Sequence, residues 1–353
     1  MIKRSLLLIP VALLYTGCAT VGSPAATSTK IYIQQNDIQK AEENANQWIS
    51  DEPNSPKPYI WRGFIYTRKG EYIKASEDFL KAFSLDPTYK DKKKFEKELS
   101  IAGQNLMPYE AVATVLQNAA IQMVQGEKYD QALKYLHEAT RIDPNNANIY
   151  LLLHSVYNAQ GDEEKSREYL EKAVSIDPKN PKARLQLAVL YSFEGKKDTA
   201  EKILREILKD TAMVEAYKEL GILLFEKGDY KGAVENLQKA YELKPNDYEI
   251  LANLGQAYAE LKEYDKAVEY LKKAYELKGD EYRIPFSIAG VLYDAKKYND
   301  ALKYINEAIN LNPDEPTLYE LRGAIYKALG KKRESLNDFK KAEELRKSKG
   351  EGK

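Results

Sequence analysis

The sequence predicts an all-α fold in which antiparallel helix pairs stack in series. A pattern of small and large apolar residues recurs about every 34 residues. Prolines recur at one position of that pattern, where they end a helix because proline lacks an amide donor. Glycines recur near its middle, which is typical of a turn between two helices. One pair cannot bury its apolar face alone, so neighbouring pairs have to stack.

The composition limits the chemistry that such a fold can carry. Lys plus Arg and Asp plus Glu number 54 each, so no overall positive charge is available to hold nucleic acid. One cysteine and two histidines, His137 and His154, leave few ways to build a metal site or a catalytic triad. We therefore predict no enzyme activity, no cofactor, no metal and no small-molecule substrate. We interpret His154 as packed between helices and His137 as exposed.

The first 17 residues have the pattern of a secretory signal peptide. Met1–Arg4 is basic, Ser5–Tyr15 is almost entirely apolar, and the small residues Thr16 and Gly17 precede the only cysteine, Cys18. The apolar stretch is shorter than the roughly 20 residues that span a bilayer. Residues 18–35 are rich in Ala, Ser, Thr and Gly, and we predict a flexible linker there.

The Thr16-Gly17-Cys18 sequence resembles the processing site of bacterial lipoproteins, although Tyr15 stands where that family usually has an aliphatic residue. The resemblance implies that a lipid is attached to Cys18, which becomes the new N-terminus and holds the chain to a membrane of the bacterial cell envelope. Ala19 in place of Asp favours the outer membrane, facing the periplasm. The alternative is an ordinary signal peptide with an incidental cysteine.

The repeat pattern organises most of the remaining chain. Its first complete copy spans residues 56–89, and seven more follow over residues 113–349. The first copy contains Tyr59, Gly63, Tyr66, Ala75, Phe79, Ala82 and Pro87. Ala212 and Gly279 stand at two positions where proline is expected. Residues 36–55 continue the phase upstream as a degenerate half repeat, and residues 350–353 form a predicted disordered tail.

These positions resemble the tetratricopeptide repeat (TPR) pattern. The resemblance implies a TPR α-solenoid, a right-handed superhelix of antiparallel helix pairs, whose first helices line a concave groove that binds partner proteins. Residues 90–112 interrupt the period. Phe95, Leu99, Ala102 and Leu106 are spaced for one helical face, which predicts an extra helix or an extension of a neighbouring one. This insertion is either a solvated helical surface, or a hinge or partner-specific feature that separates a small N-terminal part from the main array.

The resemblance places several side chains in the groove. Aromatic residues contribute most to many protein interfaces. The candidate partner-binding residues are Phe64, Phe193, Lys218, Phe225, Asn253, Arg283, Phe286 and Tyr293. Lys218, Asn253 and Arg283 match part of a clamp by which some TPR proteins hold a peptide carboxylate, but Ile222 and Ser287 depart from it. The alternative is that the aromatic residues pack against the next repeat.

The leading function hypothesis is a membrane-anchored adaptor that binds partner peptides or helices and helps assemble an envelope complex, such as pilus, outer-membrane or cell-wall machinery. The alternative is an accessory lipoprotein that binds cell-wall glycan or exopolysaccharide during export. A cryptic hydrolase is a third hypothesis, because a pair of catalytic carboxylates cannot be recognised among so many surface acids.

Overall fold

The computed structural model describes residues 23–349, and it confirms an all-α fold. The signal peptide, Cys18 and the tail after residue 349 lie outside the described residues. Nineteen α-helices are present in the described range. They are α1 Pro24–Gln34, α2 Ile38–Asp51, α3 Pro56–Lys69, α4 Tyr72–Leu85, α5 Lys92–Glu98, α6 Glu110–Gln125, α7 Tyr129–Ile142, α8 Ala147–Ala159, α9 Glu163–Ile176, α10 Pro181–Phe193, α11 Lys197–Asp210, α12 Val214–Glu226, α13 Tyr230–Leu243, α14 Tyr248–Glu260, α15 Tyr264–Leu277, α16 Arg283–Asp294, α17 Tyr298–Leu311, α18 Pro316–Ala328 and α19 Lys332–Ser348.

All of these helices except α5 form nine pairs of a first and a second helix joined by a short turn. The chain divides at Ile176 into two compact units, one holding α1–α9 and the other α10–α19. Within each unit, the second helix of a pair packs against the first helix of the next pair. The stacked helix pairs that the sequence predicts are therefore present in both units.

Small residues set the distance between the two helices of a pair. A Cβ atom on Gly255 would lie 2.5 Å from Leu271 Cγ and 3.1 Å from the Ala267 carbonyl oxygen. These contacts are too short for any side chain, so glycine is required where α14 crosses α15. The turns between helices use left-handed backbone, with φ of 81° at Gly228 and 62° at Lys262.

The predicted flexible linker over residues 18–35 is wrong in its larger part. Residues Pro24–Gln34 form α1, which packs against α2 through buried Ala25, Thr29 and Ile33. The segment that we predicted as a half repeat is thus the second helix of a complete pair. The Ala- and Thr-rich composition concealed a helix whose buried positions are spaced by four residues. Ser23 as N-cap followed by Pro24 was the available signal, because both favour a helix start.

The insertion is also different from the prediction. A short 3₁₀ turn at Pro87–Lys90 leads into α5, which is only seven residues long. A two-residue antiparallel hairpin follows, with β1 at Ser100–Ile101 and β2 at Gln104–Asn105. Ala102 lies in its turn with φ of 52°, so the predicted helical face stops after Leu99. Because α4 packs directly against α6 within one unit, the insertion is not a hinge.

One position of the second helix carries a polar group that contacts the next pair at several junctions. The Asn46 and Asn306 amide oxygens accept from Arg62 and Arg322, each at 2.9 Å. Gln238 donates to the Tyr258 hydroxyl at 2.6 Å, and His137 lies 3.3 Å from the Tyr157 hydroxyl. Asn46, His137, Gln238 and Asn306 occupy equivalent places in their second helices, and we call this place in the repeat the junction position. His137 is thus half-buried at a junction and not on the exposed surface that we predicted.

His137 makes one junction sensitive to pH. Burial lowers its pKa below the usual 6.5, and the positive charges of Arg141 and Lys165 lower it further. As the pH falls below 6.5, the unfolded chain therefore binds a proton more readily than the folded chain, and stability decreases. We expect His137→Gln, which keeps a group able to reach Tyr157 as Gln238 reaches Tyr258, to lose less stability than the unsubstituted chain between pH 7.5 and pH 5.5. Thermal unfolding at both pH values measures this, and equal losses would contradict it.

Candidate functional site

The first helices form the inner face of the second unit. Contacts recur between successive first helices from α10 to α18, whereas successive second helices touch less. A row of pairs that is closer on one side curves toward that side, so the first helices lie on the concave side of this unit. We use the term inner face for the accessible surface at Ile222, Phe225, Asn253, Gln256, Phe286, Gly290 and Tyr293.

Aromatic rings border the inner face. Phe225 is half-buried and meets Tyr230 edge-on at 5.3 Å between ring centroids. Tyr293 is half-buried beside Tyr298 at 5.6 Å, and Phe286 is half-buried against the core. The ring contacts of Phe225 and Tyr293 are therefore with the second helix of their own pair, whereas the alternative prediction placed these rings against the next repeat. Each ring also presents an accessible edge. A ring held in place in this way loses little conformational entropy on binding.

One position of the inner face, Gly290, has no side chain. Gly290 lies on α16, four residues after Phe286 and three residues before Tyr293. A Cβ atom built on Gly290 meets no atom within 4 Å, in contrast to Gly255. Glycine in a helix interior costs about 1 kcal/mol relative to alanine. No packing contact in the described residues accounts for that cost at Gly290, and its effect is to leave space between two aromatic rings.

The predicted carboxylate clamp is not assembled from free groups. Lys218 Nζ lies 2.8 Å from Glu249 Oε2, and although burial lowers the pKa of Lys218, Glu249 together with the nearby carboxylates of Glu219 and Asp247 raises it above its usual value. Arg283 lies over the Tyr282 ring at 5.8 Å and 4.0 Å from Glu281. The Asn253 side chain is half-buried and makes no hydrogen bond with any described residue. Asn253 is thus the one member of the three whose side chain forms neither a hydrogen bond nor an ion pair with another described residue.

Two further candidates lie elsewhere. Phe64 is only 6% exposed, and it lies in the first unit beside fully buried Ile60 and Trp61. The Trp61 indole donates to Glu98 at the end of α5 at 2.9 Å, so the insertion lies against this part of α3. Phe64 is therefore a core residue, and its assignment as a binding anchor is corrected. Phe193 is 87% exposed at the end of α10, next to the turn.

The described part of the chain, residues 23–349, offers no candidate metal centre. No group of three or more His, Cys, Asp or Glu side chains is close enough there to hold a metal ion. His154 accepts or donates a hydrogen bond with Ser166 at 2.9 Å, which agrees with its interpretation as a packed histidine. No described helix has the length and apolar character needed to cross a bilayer. Cys18, the predicted lipid site, lies outside the described residues.

Comparisons with known proteins agree with the repeat pattern. Models of the tetratricopeptide repeat match residues 157–220, 224–273 and 260–325, residues 123–161, and residues 56–97 and 316–349. No curated protein matches the chain.

Several solved structures are similar to parts of the chain. MamA from Desulfovibrio magneticus RS-1 is 20% identical, with a TM-score of 0.46 over 48% of this chain and 96% of that one. MamA MSR-1 is 24% identical, with a TM-score of 0.43 over 48% of this chain and 98% of that one. YrrB, described as a TPR protein with an unusual peptide-binding site, is 20% identical, with a TM-score of 0.44 over 50% of this chain and 91% of that one. The repeat models and the nine helix pairs together identify this chain as a tetratricopeptide-repeat protein.

Proposed function

We propose that the chain is a membrane-anchored adaptor that binds an extended or helical segment of a partner protein on the inner face, and so helps to assemble a complex in the bacterial cell envelope. The observation that carries this proposal is the space at Gly290 between two partly accessible aromatic rings. A partner backbone can approach there closely, since no side chain lies in the way. Phe286 and Tyr293 are then available to hold apolar side chains of the partner.

The surrounding groups suit a peptide better than nucleic acid. Lys218 is already paired with Glu249, so it does not offer a free positive charge for phosphate. Burial raises the pKa of Glu219, which lies on the same helix and adds no positive charge. The Asn253 amide can donate to and accept from a peptide group, as main-chain recognition in a groove requires. A mixed, largely neutral face with aromatic borders favours a partner segment of alternating apolar and polar residues.

The inner face is tested by filling the space that Gly290 leaves. We expect Gly290→Trp to reduce partner capture at least about tenfold, equivalent to roughly 1.4 kcal/mol, because the indole would occupy the partner's position. The folded state should keep its helix content and melting temperature, since the added atoms point into open space.

Crosslinking in cells from a photoreactive residue at Gln256, followed by mass spectrometry, measures capture. Glu276→Trp on α15, a second helix, is the matched control and should leave capture unchanged. Unchanged capture by Gly290→Trp would refute the inner face as the binding site.

The anchoring part of the proposal is supported by the Thr16-Gly17-Cys18 sequence. Helix α1 begins at Pro24, six residues after Cys18. At about 3.5 Å per residue, a lipid on Cys18 would hold the first helix pair within roughly 20 Å of the membrane surface.

A Cys18→Ser variant tests anchoring. We expect metabolic labelling with a fatty acid to mark the unsubstituted chain but not the variant, and the variant to leave the membrane fraction. Equal membrane association of an unlabelled chain would contradict lipid attachment without affecting the inner face.

A further inference from the structure

Among the described residues, helix α19 exposes an apolar face whose equivalent is covered in several earlier pairs. Phe339 on α19 is 40% exposed, and Leu336 on the same helix is 56% exposed. Residues equivalent to Phe339 in earlier second helices, such as Phe79, Leu136, Leu204 and Ile305, are at most 2% exposed. In those pairs the next first helix packs against the second helix. The α19 face therefore has the form of a stacking interface with one side missing.

The first helix leaves a matching surface at the other end of the described chain. Ile31 on α1 is 43% exposed, whereas the equivalent residues Ile65, Val156 and Ile325 in later first helices are fully buried. Helix α6, which follows the insertion, differs and has the exposed Gln122 at this position. No earlier second helix is present among the described residues to cover Ile31.

The charges of the two terminal pairs are complementary. Residues 23–52, which contain α1 and α2, carry two Lys and five carboxylates. Residues 316–349, which contain α18 and α19, carry ten Lys or Arg and five carboxylates. Two copies of either pair facing each other would bring like charges together, whereas the first pair facing the last pair brings opposite charges together.

We propose that the α19 face is occupied by the α1 face of a second copy of this chain, so that copies associate head to tail. Ile31 of one copy then packs near Leu336 and Phe339 of the other, and continues the contact made between successive pairs within each unit. The interface is heterologous, so each copy retains one free face of each kind and the association extends beyond a dimer unless a ring closes.

Site-directed crosslinking tests the contact directly. Because Cys18 is the only cysteine, a Cys18→Ser background carries only the thiols that are introduced. Two differently tagged full-length copies, one with Ile31→Cys and one with Leu336→Cys, are mixed and treated with a short bismaleimide. We expect the mixed product to exceed the Ile31→Cys and Leu243→Cys product about tenfold, because adjacent thiols react at a raised effective concentration. Leu243 is a matched control, since it is 49% exposed and lies on neither terminal face.

Two outcomes would overturn the proposal. One is a mixed yield no higher than the Leu243→Cys control. The other is a Leu336→Cys copy that links chiefly to its own kind or to a different protein.

Sedimentation of the full chain provides a second measurement. We expect the average mass to rise with concentration and to fall when salt screens the opposite charges. Leu336→Glu should keep the chain monomeric, whereas Leu243→Glu should not. A monomer at all concentrations, or equal effects of the two substitutions, would also overturn the proposal.

Discussion

Replacing Gly255 with alanine is expected to destabilise the second unit by about 1–3 kcal/mol, although alanine is the better helix former. The new Cβ would lie 2.5 Å from Leu271 Cγ and 3.1 Å from a backbone oxygen of α15. Leu271 is almost fully buried, so it cannot move aside without displacing its neighbours. The two helices would have to separate, and the junction with the next pair would loosen with them. Denaturant unfolding of the full chain, followed by circular dichroism, measures the loss.

Gly290→Ala is the matched control for this substitution. It makes the same chemical change in another first helix of the same unit, but its Cβ meets no atom within 4 Å. We expect a gain of up to about 1 kcal/mol, because alanine restricts the unfolded chain and favours the helix. If both substitutions shift the unfolding midpoint in the same direction, helix propensity and not interhelical distance decides the effect, and the assignment of Gly255 fails.

Removing the carboxylate of Asp338 is expected to have the largest effect among single substitutions, about 3 kcal/mol or more. Arg322 Nε and a terminal nitrogen donate to the two Asp338 oxygens at 2.7 Å and 2.8 Å. This pairing raises the pKa of Arg322, so Asp338→Ala would leave a charged guanidinium half-buried without its partner. Arg62 and Asp78 form the same bidentate pair in the first unit at 2.8 Å and 2.7 Å.

The chain itself supplies the control for this prediction. At the equivalent positions, α14 and α15 have Leu254 and Tyr270, and the Tyr270 ring stacks on Tyr258 at 5.5 Å. The double substitution Arg322→Leu with Asp338→Tyr introduces that apolar pair beside Tyr326, which is equivalent to Tyr258. We expect the double variant to recover most of the stability that Asp338→Ala loses, since a buried ion pair is often replaceable by packed apolar groups. Chemical unfolding measures the free energy of unfolding of both variants. A double variant no more stable than Asp338→Ala would contradict the prediction that packed apolar groups can replace this ion pair.

The sequence allowed the paired helices to be predicted because the interhelical contacts impose a strict spacing. Gly63, Gly221, Gly255 and Gly323 recur for one steric reason, and that reason is visible in the sequence as a period. Helix α1 escaped prediction because Thr29 occupies the small position there, and its hydroxyl bonds to the Ala25 carbonyl at 2.8 Å instead of leaving an obvious gap. A polar residue at a packing position makes the apolar repeat pattern harder to recognise in the sequence, although the helices pack as closely.

The candidate site was harder to predict, since exposure depends on which neighbours are present. Phe64 stands at the repeat position that Gly290 occupies in α16, yet Phe64 is buried in α3, against which the insertion lies, whereas a Cβ atom on Gly290 meets open space. Gly290 was not recognised, because a glycine that relieves a steric clash and a glycine that leaves open space look alike in one sequence. Its place in the repeat was the available signal. Ala289 already occupies the small-residue position that Gly255 holds one repeat earlier, so Gly290 is not needed for the contact between the two helices of its pair.

The junction position bears on how a chain of look-alike modules assembles in the right order. During folding, a helix pair could dock on the wrong neighbour, which is a known failure of repetitive chains. If α14 and α15 took the place of α16 and α17, Lys272 would stand where Asn306 accepts from Arg322. Two positive charges would then meet in a half-buried space, and the misordered product would be penalised. Because different side chains occupy this position in different pairs, each junction favours its own neighbouring pair over the others.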